Sequence, residues 1–319
     1  MDNNSVINIA YCTDANYLEY VSTSIISVLM NNPHQTLSFY VFVYDVSDED
    51  IAKLKLTSNF IHVIRIEKEE IEKYDSNFTI KHLNRSIYMR LIAPRLLKGK
   101  VDKFIYLDAD TLCFDDISSI NEIDISNVIC AVCHDSINGK ESKDAHRLGL
   151  NSENYFNSGF LYINVDNWIQ YDIENKSNII LLEKGNTLKY PDQDALNITM
   201  DGRVKFIENH WNFLFTWFTD DEKEKFFYFH KRTAKIIHFT GSRKPWYKEH
   251  SGLAQQTYVL YRNLTPWRNT PLLSYSSRMR PTDYRVYARQ SAKKGKYISF
   301  LKWYLKYLKS KFNSKSKKI

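Results

Sequence analysis

Asp108 and Asp110 flank a small residue, Ala109, at the end of the apolar run Lys103-Phe104-Ile105-Tyr106-Leu107. The run reads as a buried strand. In an extended chain, residues two apart project to the same side, so the spacing predicts two carboxylates leaving one strand end together. Carboxylates that close repel each other unless a proton or a cation intervenes. A hard divalent ion with oxygen ligands is the natural partner, and such ions usually also hold substrate phosphates. The implied chemistry is that of an enzyme gripping a nucleotide diphosphate through a metal. A solvated strand end offers the same residues, with Asp115 and Asp116 close behind, and a bare D-x-D is too short to decide between the two.

Four further segments carry related chemistry. Thr13-Asp14-Ala15-Asn16-Tyr17 lies between the first strand and the first helix. Asp14 suits helix capping there, while a carboxylate, an amide and a ring also suit recognition of a base. Asn157-Ser158-Gly159 precedes the strand Phe160 to Ile163 and reads as a turn. Read as a site, Gly159 permits close backbone approach and Asn157 offers an amide to a sugar hydroxyl. Pro191-Asp192-Gln193-Asp194 opens a helix or grips a polyol. His238 ends an apolar strand, where an imidazole could be a third metal ligand. Gly241 and Lys244 follow it, one bringing backbone N–H groups to an anion and the other a positive charge. Together they would neutralise a departing diphosphate.

These residues need a scaffold. The chain of 319 residues, 43% hydrophobic and 25% charged, has the composition of a globular protein and the length for one large α/β domain with an appendage. No apolar run approaches the roughly 18 residues of a spanning helix. The start, Met1-Asp2-Asn3-Asn4-Ser5, lacks a signal-peptide pattern, and a cytosolic protein is expected. The glycosylation-like triplets at Asn77 and Asn197 are then coincidental. Cys130 and Cys133 sit in one apolar run and should point to opposite faces of a strand, as separate core residues rather than a zinc or redox pair. Strands are expected from Val6 to Tyr11, Phe39 to Val43, Ile61 to Ile66, Val128 to Cys133 and Lys235 to Phe239. Helices are expected from Asn16 to Met30, Ser86 to Leu97, Asp166 to Leu182 and Asp192 to Met200. This alternation predicts a mainly parallel sheet with helices on both faces, whose ligands gather at the carboxyl ends of strands. G-x-G-x-x-G and the P-loop pattern are both missing.

Charge is uneven. Residues 278–319 hold 14 Lys/Arg and one acid, Asp283, in a chain of net charge +7, so the rest is mildly acidic. From Tyr297 to Phe312, helical spacing puts Lys302, Lys306 and Lys309 on one side. Tyr297, Phe300, Leu301, Tyr304, Leu305 and Leu308 lie on the other, flanked by Trp303 and Tyr307. Such a helix either docks on the body by its apolar stripe or lies on an anionic membrane surface. Basic aromatic tails also bind nucleic acid, but an acidic body argues against that partner.

Six motifs in order resemble glycosyltransferase family 8: Thr13 to Tyr17, Arg85 to Leu91, Tyr106 to Asp110, Tyr155 to Gly159, Tyr190 to Asp194 and His238 to Trp246. The resemblance covers nearly the whole chain and is strongest to the bacterial lipopolysaccharide core glucosyl- and galactosyltransferases, whose extra C-terminal region the basic tail resembles. It implies a GT-A-type, Rossmann-like α/β fold in residues 1–265 with a basic helical extension in 266–319. It implies a UDP-hexose donor (UDP-glucose or UDP-galactose), Mn²⁺ or Mg²⁺, and retention at the anomeric carbon. The acceptor would be an oligosaccharide or lipid-linked glycan, with the enzyme cytoplasmic and peripheral on the inner membrane face. A capsule, teichoic-acid or glycoprotein glycan is the alternative acceptor. By the same resemblance, Asp14 and Asn16 would hold the uracil and ribose end. Asp108, Asp110 and His238 would bind the metal, with Ala109 also in the donor-binding set. Gly241 and Lys244 would grip the diphosphate. Arg90, Asn157, Asp192 and Gln193 would surround the donor sugar. The family often has an acid at the end of the strand Val128 to Cys133, and Asp135 is preferred over His134 for that place. Gln193, Asp192 and Asp135 are the expected catalytic set. Gln193 is a weak nucleophile, so same-face attack is favoured over a covalent intermediate.

Overall fold

The computed structural model describes residues 6–75, 86–136, 142–217, 223, 234–250 and 252–315. Arg85, Asn77, Lys317 and Lys318 lie outside the described residues. Seven strands form the main sheet: β1 (Ile7–Thr13), β2 (Leu37–Val43), β3 (Ile61–Arg65), β4 (Lys103–Leu107), β6 (Cys130–His134), β7 (Phe156–Asn164) and β8 (Val204–Ile207). Their order is β3-β2-β1-β4-β7-β6-β8. All neighbours run parallel except β7, which is antiparallel to both β4 and β6. The strands are apolar on both sides because both sides are covered. Ile9, Tyr11 and Phe160 pack on one face with Val21, Ile25 and Val28 of α1 (Leu18–Asn31). Ala10, Phe104 and Leu161 pack on the other with Met89 and Ile92 of α4 (Ser86–Leu97). Cys130 and Cys133 divide between these two faces, as their odd spacing predicts. All four cysteines are free and buried, and burial pushes each thiol's pKa well up.

A second sheet of three short strands, β5 (Thr111–Cys113), β10 (Ile236–His238) and β9 (Phe213–Leu214), matters most for the site. β10 runs antiparallel to β5 with His238 opposite Thr111. Phe239 N–H donates to the Asp110 carbonyl (2.9 Å). This register carries His238 to the acidic pair.

Three local expectations change. First, Asp108-Ala109-Asp110 is not an extended strand end: β4 stops at Leu107, and residues 108–110 turn from the main sheet into β5. Second, Asn157-Ser158-Gly159 lies inside β7, not in a turn before it. Val132 pairs with Leu161 but Cys133 with Asn157, so residues 158–160 form a bulge that has no counterpart on β6. Third, the stretch Asp166 to Leu182 is two helices, α6 (Val165–Gln170) and α7 (Ile173–Lys184). Asp172 breaks them at φ 55, a left-handed conformation that Asp tolerates better than most residues.

After α8 (Pro191–Thr199), α9 (Leu253–Arg262) packs on α1, with Arg262 paired to Glu19. Trp267 is then buried in the core beside the sheet, under Lys53. A helical hairpin follows, α10 (Pro281–Lys293) and α11 (Tyr297–Lys315). Tyr275 stacks on Tyr247 (centroids 4.5 Å) and donates to Tyr287 Oη on α10 (2.7 Å). Trp303 of α11 meets Tyr287 (5.4 Å) and Tyr284 (6.2 Å). Ile298, Leu301, Leu305 and Phe312 remain exposed. Among the described residues, no helix is long and apolar enough to cross a membrane.

Candidate functional site

The site forms where β4, the β7 bulge and β10 converge. Asp108 is held from three sides. Its backbone N–H donates to the Gly159 carbonyl (2.9 Å), and its Oδ1 accepts from Arg90 Nη2 (2.9 Å) and Tyr106 Oη (2.8 Å). Asp110 places Oδ1 3.0 Å from His238 Nε2, while its Oδ2 accepts from Lys244 Nζ. Asp108 Oδ2 stands 3.7 Å from the same His238 nitrogen. Burial raises the pKa of Asp110, but Lys244 and His238 outweigh it and hold this carboxyl far below the usual range.

Two carboxylates and an imidazole, with ligand atoms within 4.8 Å of one another, make a donor set for a divalent cation. The surroundings fit that role. A Cβ on Gly159 would fall 2.1 Å from His238 Cε1 and 2.8 Å from Asp108 Oδ2, so only glycine lets the bulge lie against two of the three ligands. Beside the cluster, Cys12, Tyr17, Arg90, Tyr106 and residues 108–110 line a cavity of about 180 Å³.

Arg90 links the cluster to the rest of the site. The buried guanidinium donates from Nη1 to the Ser158 carbonyl (2.9 Å) and Oγ (2.8 Å), and lies 3.4 Å from Asp192. Burial disfavours its charge, yet Asp108 and Asp192 more than restore it. Among the described residues, Arg90 Nε is buried without a hydrogen-bond partner. Desolvation raises the Asp192 carboxyl despite Arg90.

Gln193 is fully engaged. Its Oε1 accepts from Asn157 Nδ2 (3.1 Å) and Ser158 N–H (3.1 Å), and its Nε2 donates to Tyr155 Oη (3.0 Å). Asp194 turns away from this site. It is completely buried under Arg147, Tyr155 and the backbone of Lys189 and Tyr190, and so anchors the start of α8. Asp135 accepts from Asn157 Nδ2 (3.2 Å), and burial lifts its carboxyl to about 6. The structure thus gathers Arg90, Asp108, Asp110, Asp135, Asn157, Asp192, Gln193, His238 and Lys244 into one connected network.

Asp14, Asn16 and Gly241 lie at the margin. Asp14 Oδ1 accepts from Asn16 N–H (3.0 Å) in a turn ahead of α1. The α1 cap is Tyr17, without a side-chain bond, so capping does not account for Asp14. Gly241 is exposed at φ 81, a conformation that favours glycine. Sequence reading missed Tyr106, Tyr155 and Ser158 as site partners, although all three stand inside the motifs it quoted. It also missed Asn212, which is fully buried, donates to Asn157 Oδ1 (2.9 Å) and puts Oδ1 3.1 Å from His238 Nδ1. Nothing in its sequence neighbourhood marks it.

The architecture is that of GT-A-type glycosyltransferases. The galactosyltransferase LgtC, solved with donor and acceptor sugar analogues, superposes with a TM-score of 0.69 at 22% identity, covering 82% of this chain and 99% of that one. The glycosyltransferase GlyE of Streptococcus pneumoniae superposes with a TM-score of 0.60 at 20% identity, covering 81% of this chain and 60% of that one. At these identities the likeness establishes the fold. Residues 8–250 match the family model for glycosyl transferase family 8. The chain belongs to glycosyltransferase family 8. A lipopolysaccharide 1,2-glucosyltransferase of Escherichia coli is 32% identical, over 82% of this chain and 79% of its own. A lipopolysaccharide 1,3-galactosyltransferase of Salmonella typhimurium is 28% identical, over 95% and 91%.

Proposed function

We propose that this enzyme transfers a hexose, glucose or galactose, from a UDP-sugar to the lipopolysaccharide or lipooligosaccharide core, with retention at the anomeric carbon. The observation that carries the reading is the Asp108–Asp110–His238 cluster, flanked by Lys244 and Arg90, in a family 8 chain. The named activities of the two lipopolysaccharide transferases support the acceptor class.

Asp108, Asp110 and His238 would hold Mn²⁺ or Mg²⁺, which when bound offsets charge on the departing UDP. Lys244 would add a second positive charge at that place, and the backbone N–H groups around Gly241 would be offered to the same anion. Asp14, Asn16 and the ring of Tyr17 would take the nucleoside end, with Ala109 also in the donor-binding set. Arg90, Asn157, Asp192 and Gln193 orient the sugar. Gln193 spends its carbonyl on Asn157 and Ser158, which supports same-face attack over a covalent step through that residue. Asp135 and Asp192, both raised by burial, remain as carboxyl groups beside the reacting hydroxyls.

The catalytic unit is 1–265 and the extension 266–319, joined through Trp267. The extension rests on the inner face of the cytoplasmic membrane. Support comes from α11, which docks through Trp303 and leaves Ile298, Leu301, Leu305 and Phe312 exposed next to Lys302, Lys306 and Lys309. Each engaged lysine adds roughly 1 kcal/mol at an anionic surface.

The test combines binding with product analysis. UDP with Mn²⁺ should raise the melting temperature more than either alone. A panel of UDP-sugars offered with truncated lipopolysaccharide should then yield one hexose adduct of retained configuration. Failure of UDP to bind with any divalent ion, or transfer only to a non-lipopolysaccharide glycan, would defeat the reading.

A further inference from the structure

Two backbone N–H groups fix the polarity of the hydrogen-bond network behind the cation cluster, because a backbone N–H can only donate. Ser158 N–H donates to Gln193 Oε1 (3.1 Å) and Gly159 N–H to Asn157 Oδ1 (3.0 Å), identifying the oxygen end of each amide. Asn212 also meets Asn157 Oδ1, at 2.9 Å. The Asn212 atom there must therefore be its NH₂, and the atom 3.1 Å from His238 Nδ1 must be its carbonyl oxygen. That oxygen only accepts, so Nδ1 carries the imidazole proton. In the neutral imidazole, Nε2, which faces Asp110 Oδ1 at 3.0 Å and Asp108 Oδ2 at 3.7 Å, is then the nitrogen whose lone pair a cation would take. On its other side, Asn157 Nδ2 reaches Asp135 Oδ1 (3.2 Å) and Gln193 Oε1 (3.1 Å).

We infer that Asn212 is a positioning residue that sets the tautomer of His238 for cation binding and ties that ligand to the Asn157–Gln193–Asp135 end of the site. The inference rests on the metal reading above. Asn212 is fully buried immediately before β9, whose parallel pairing with β10 holds it beside His238. Groups that orient a metal-bound histidine typically change metal affinity by about ten- to hundredfold when lost, and removing Asn212 would also strand the buried His238 Nδ1–H and take one of two donors from Asn157 Oδ1.

Two variants separate its two bonds. Asn212→Leu removes both. Asn212→Asp keeps an acceptor for His238 Nδ1–H but sets a carboxylate against Asn157 Oδ1. Water-proton relaxation titrations with Mn²⁺, alone and with UDP, should show affinity about ten- to hundredfold weaker for Asn212→Leu. Asn212→Asp should stay near wild type in Mn²⁺ affinity while its donor KM rises. Long-range ¹H–¹⁵N spectra of histidine-labelled wild type with Mg²⁺ and UDP, assigned with His238→Gln, should report the Nδ1–H tautomer of His238. This measurement needs no Asn212 variant to fold. An Nε2–H tautomer, or wild-type Mn²⁺ affinity in folded Asn212→Leu, would overturn the inference. Wild-type protein that takes up no divalent ion would remove the metal reading and this one with it.

Discussion

Lys244 and Arg90 divide the two aspartates between them, one cation on Asp110 and the other on Asp108. That arrangement separates structural from chemical roles in single substitutions. Asp108→Asn and Asp110→Asn keep shape and remove charge, and each should lower hexose transfer by at least about a hundredfold. Near-normal turnover at saturating Mn²⁺ would mean that the pair holds no cation. Lys244→Ala should weaken UDP and UDP-sugar binding in equilibrium titrations while leaving the fold intact. A lower melting temperature with unchanged UDP affinity would instead make Lys244 a structural partner of Asp110. Asp135 contributes a pH dependence of its own. Its folded pKa, about 6, stands above the unfolded value, so the native state holds the extra proton. The associated stability is present below about pH 4 and lost as pH climbs through about 6. Across that window the melting temperature of wild type should fall relative to Asp135→Asn. Parallel curves would mean that Asp135 is not desolvated. That Asp108, Asp110, His238 and Lys244 come together was legible because their types and spacing suit one site for a cation and an anion. Asn212 was not, since a single Asn acquires its meaning from a strand pairing that joins distant segments.

At the scale of elements, the bulge in β7 does what a regular strand could not. It inserts residues 158–160 opposite no partner on β6 and turns the Ser158 and Gly159 backbone toward Arg90, Gln193 and Asp108. Gly159→Ala should be the most damaging small change in this strand. Its Cβ would overlap His238 Cε1 at 2.1 Å, and relieving such overpacking typically costs about 1–3 kcal/mol. Chemical denaturation should show that loss, and Mn²⁺ titration should show weakened binding. Retention of both wild-type stability and Mn²⁺ affinity would show that the contact yields without cost. The parallel strands were legible from apolar runs between helical patterns. The bulge was misread because Asn, Ser and Gly favour turns, and nothing local says that β4 and β6 will pair on either side of them. The break at Asp172 was hidden for a similar reason: apolar residues continue at helical spacing through it.

For the molecule as a whole, the C-terminal hairpin is seated directly on the His238 to Trp246 segment. Arg280 Nη2 donates to Ser242 Oγ (2.8 Å), buried Asp283 lies 4.0 Å from Arg243, and Tyr275 stacks on Tyr247. The sequence offered two fates for the apolar stripe of the last helix. The helix docks by Trp303, which the pattern placed at the flank of that stripe, and much of the stripe stays outside. Truncation before Tyr297 should therefore leave an enzyme still active on soluble acceptors. Full-length protein should pellet with anionic liposomes and be released by high salt; equal pelleting of both forms would end the membrane reading. The buried cysteines have a practical consequence here. With Cys113, Cys130 and Cys133 enclosed in the core and Cys12 buried in the wall of the site cavity, Ile298→Cys on exposed α11 would be the position most open to a water-soluble maleimide. A single environment-sensitive dye there would report, on the intact enzyme and without removing any residue, whether the helix enters a bilayer and how deeply.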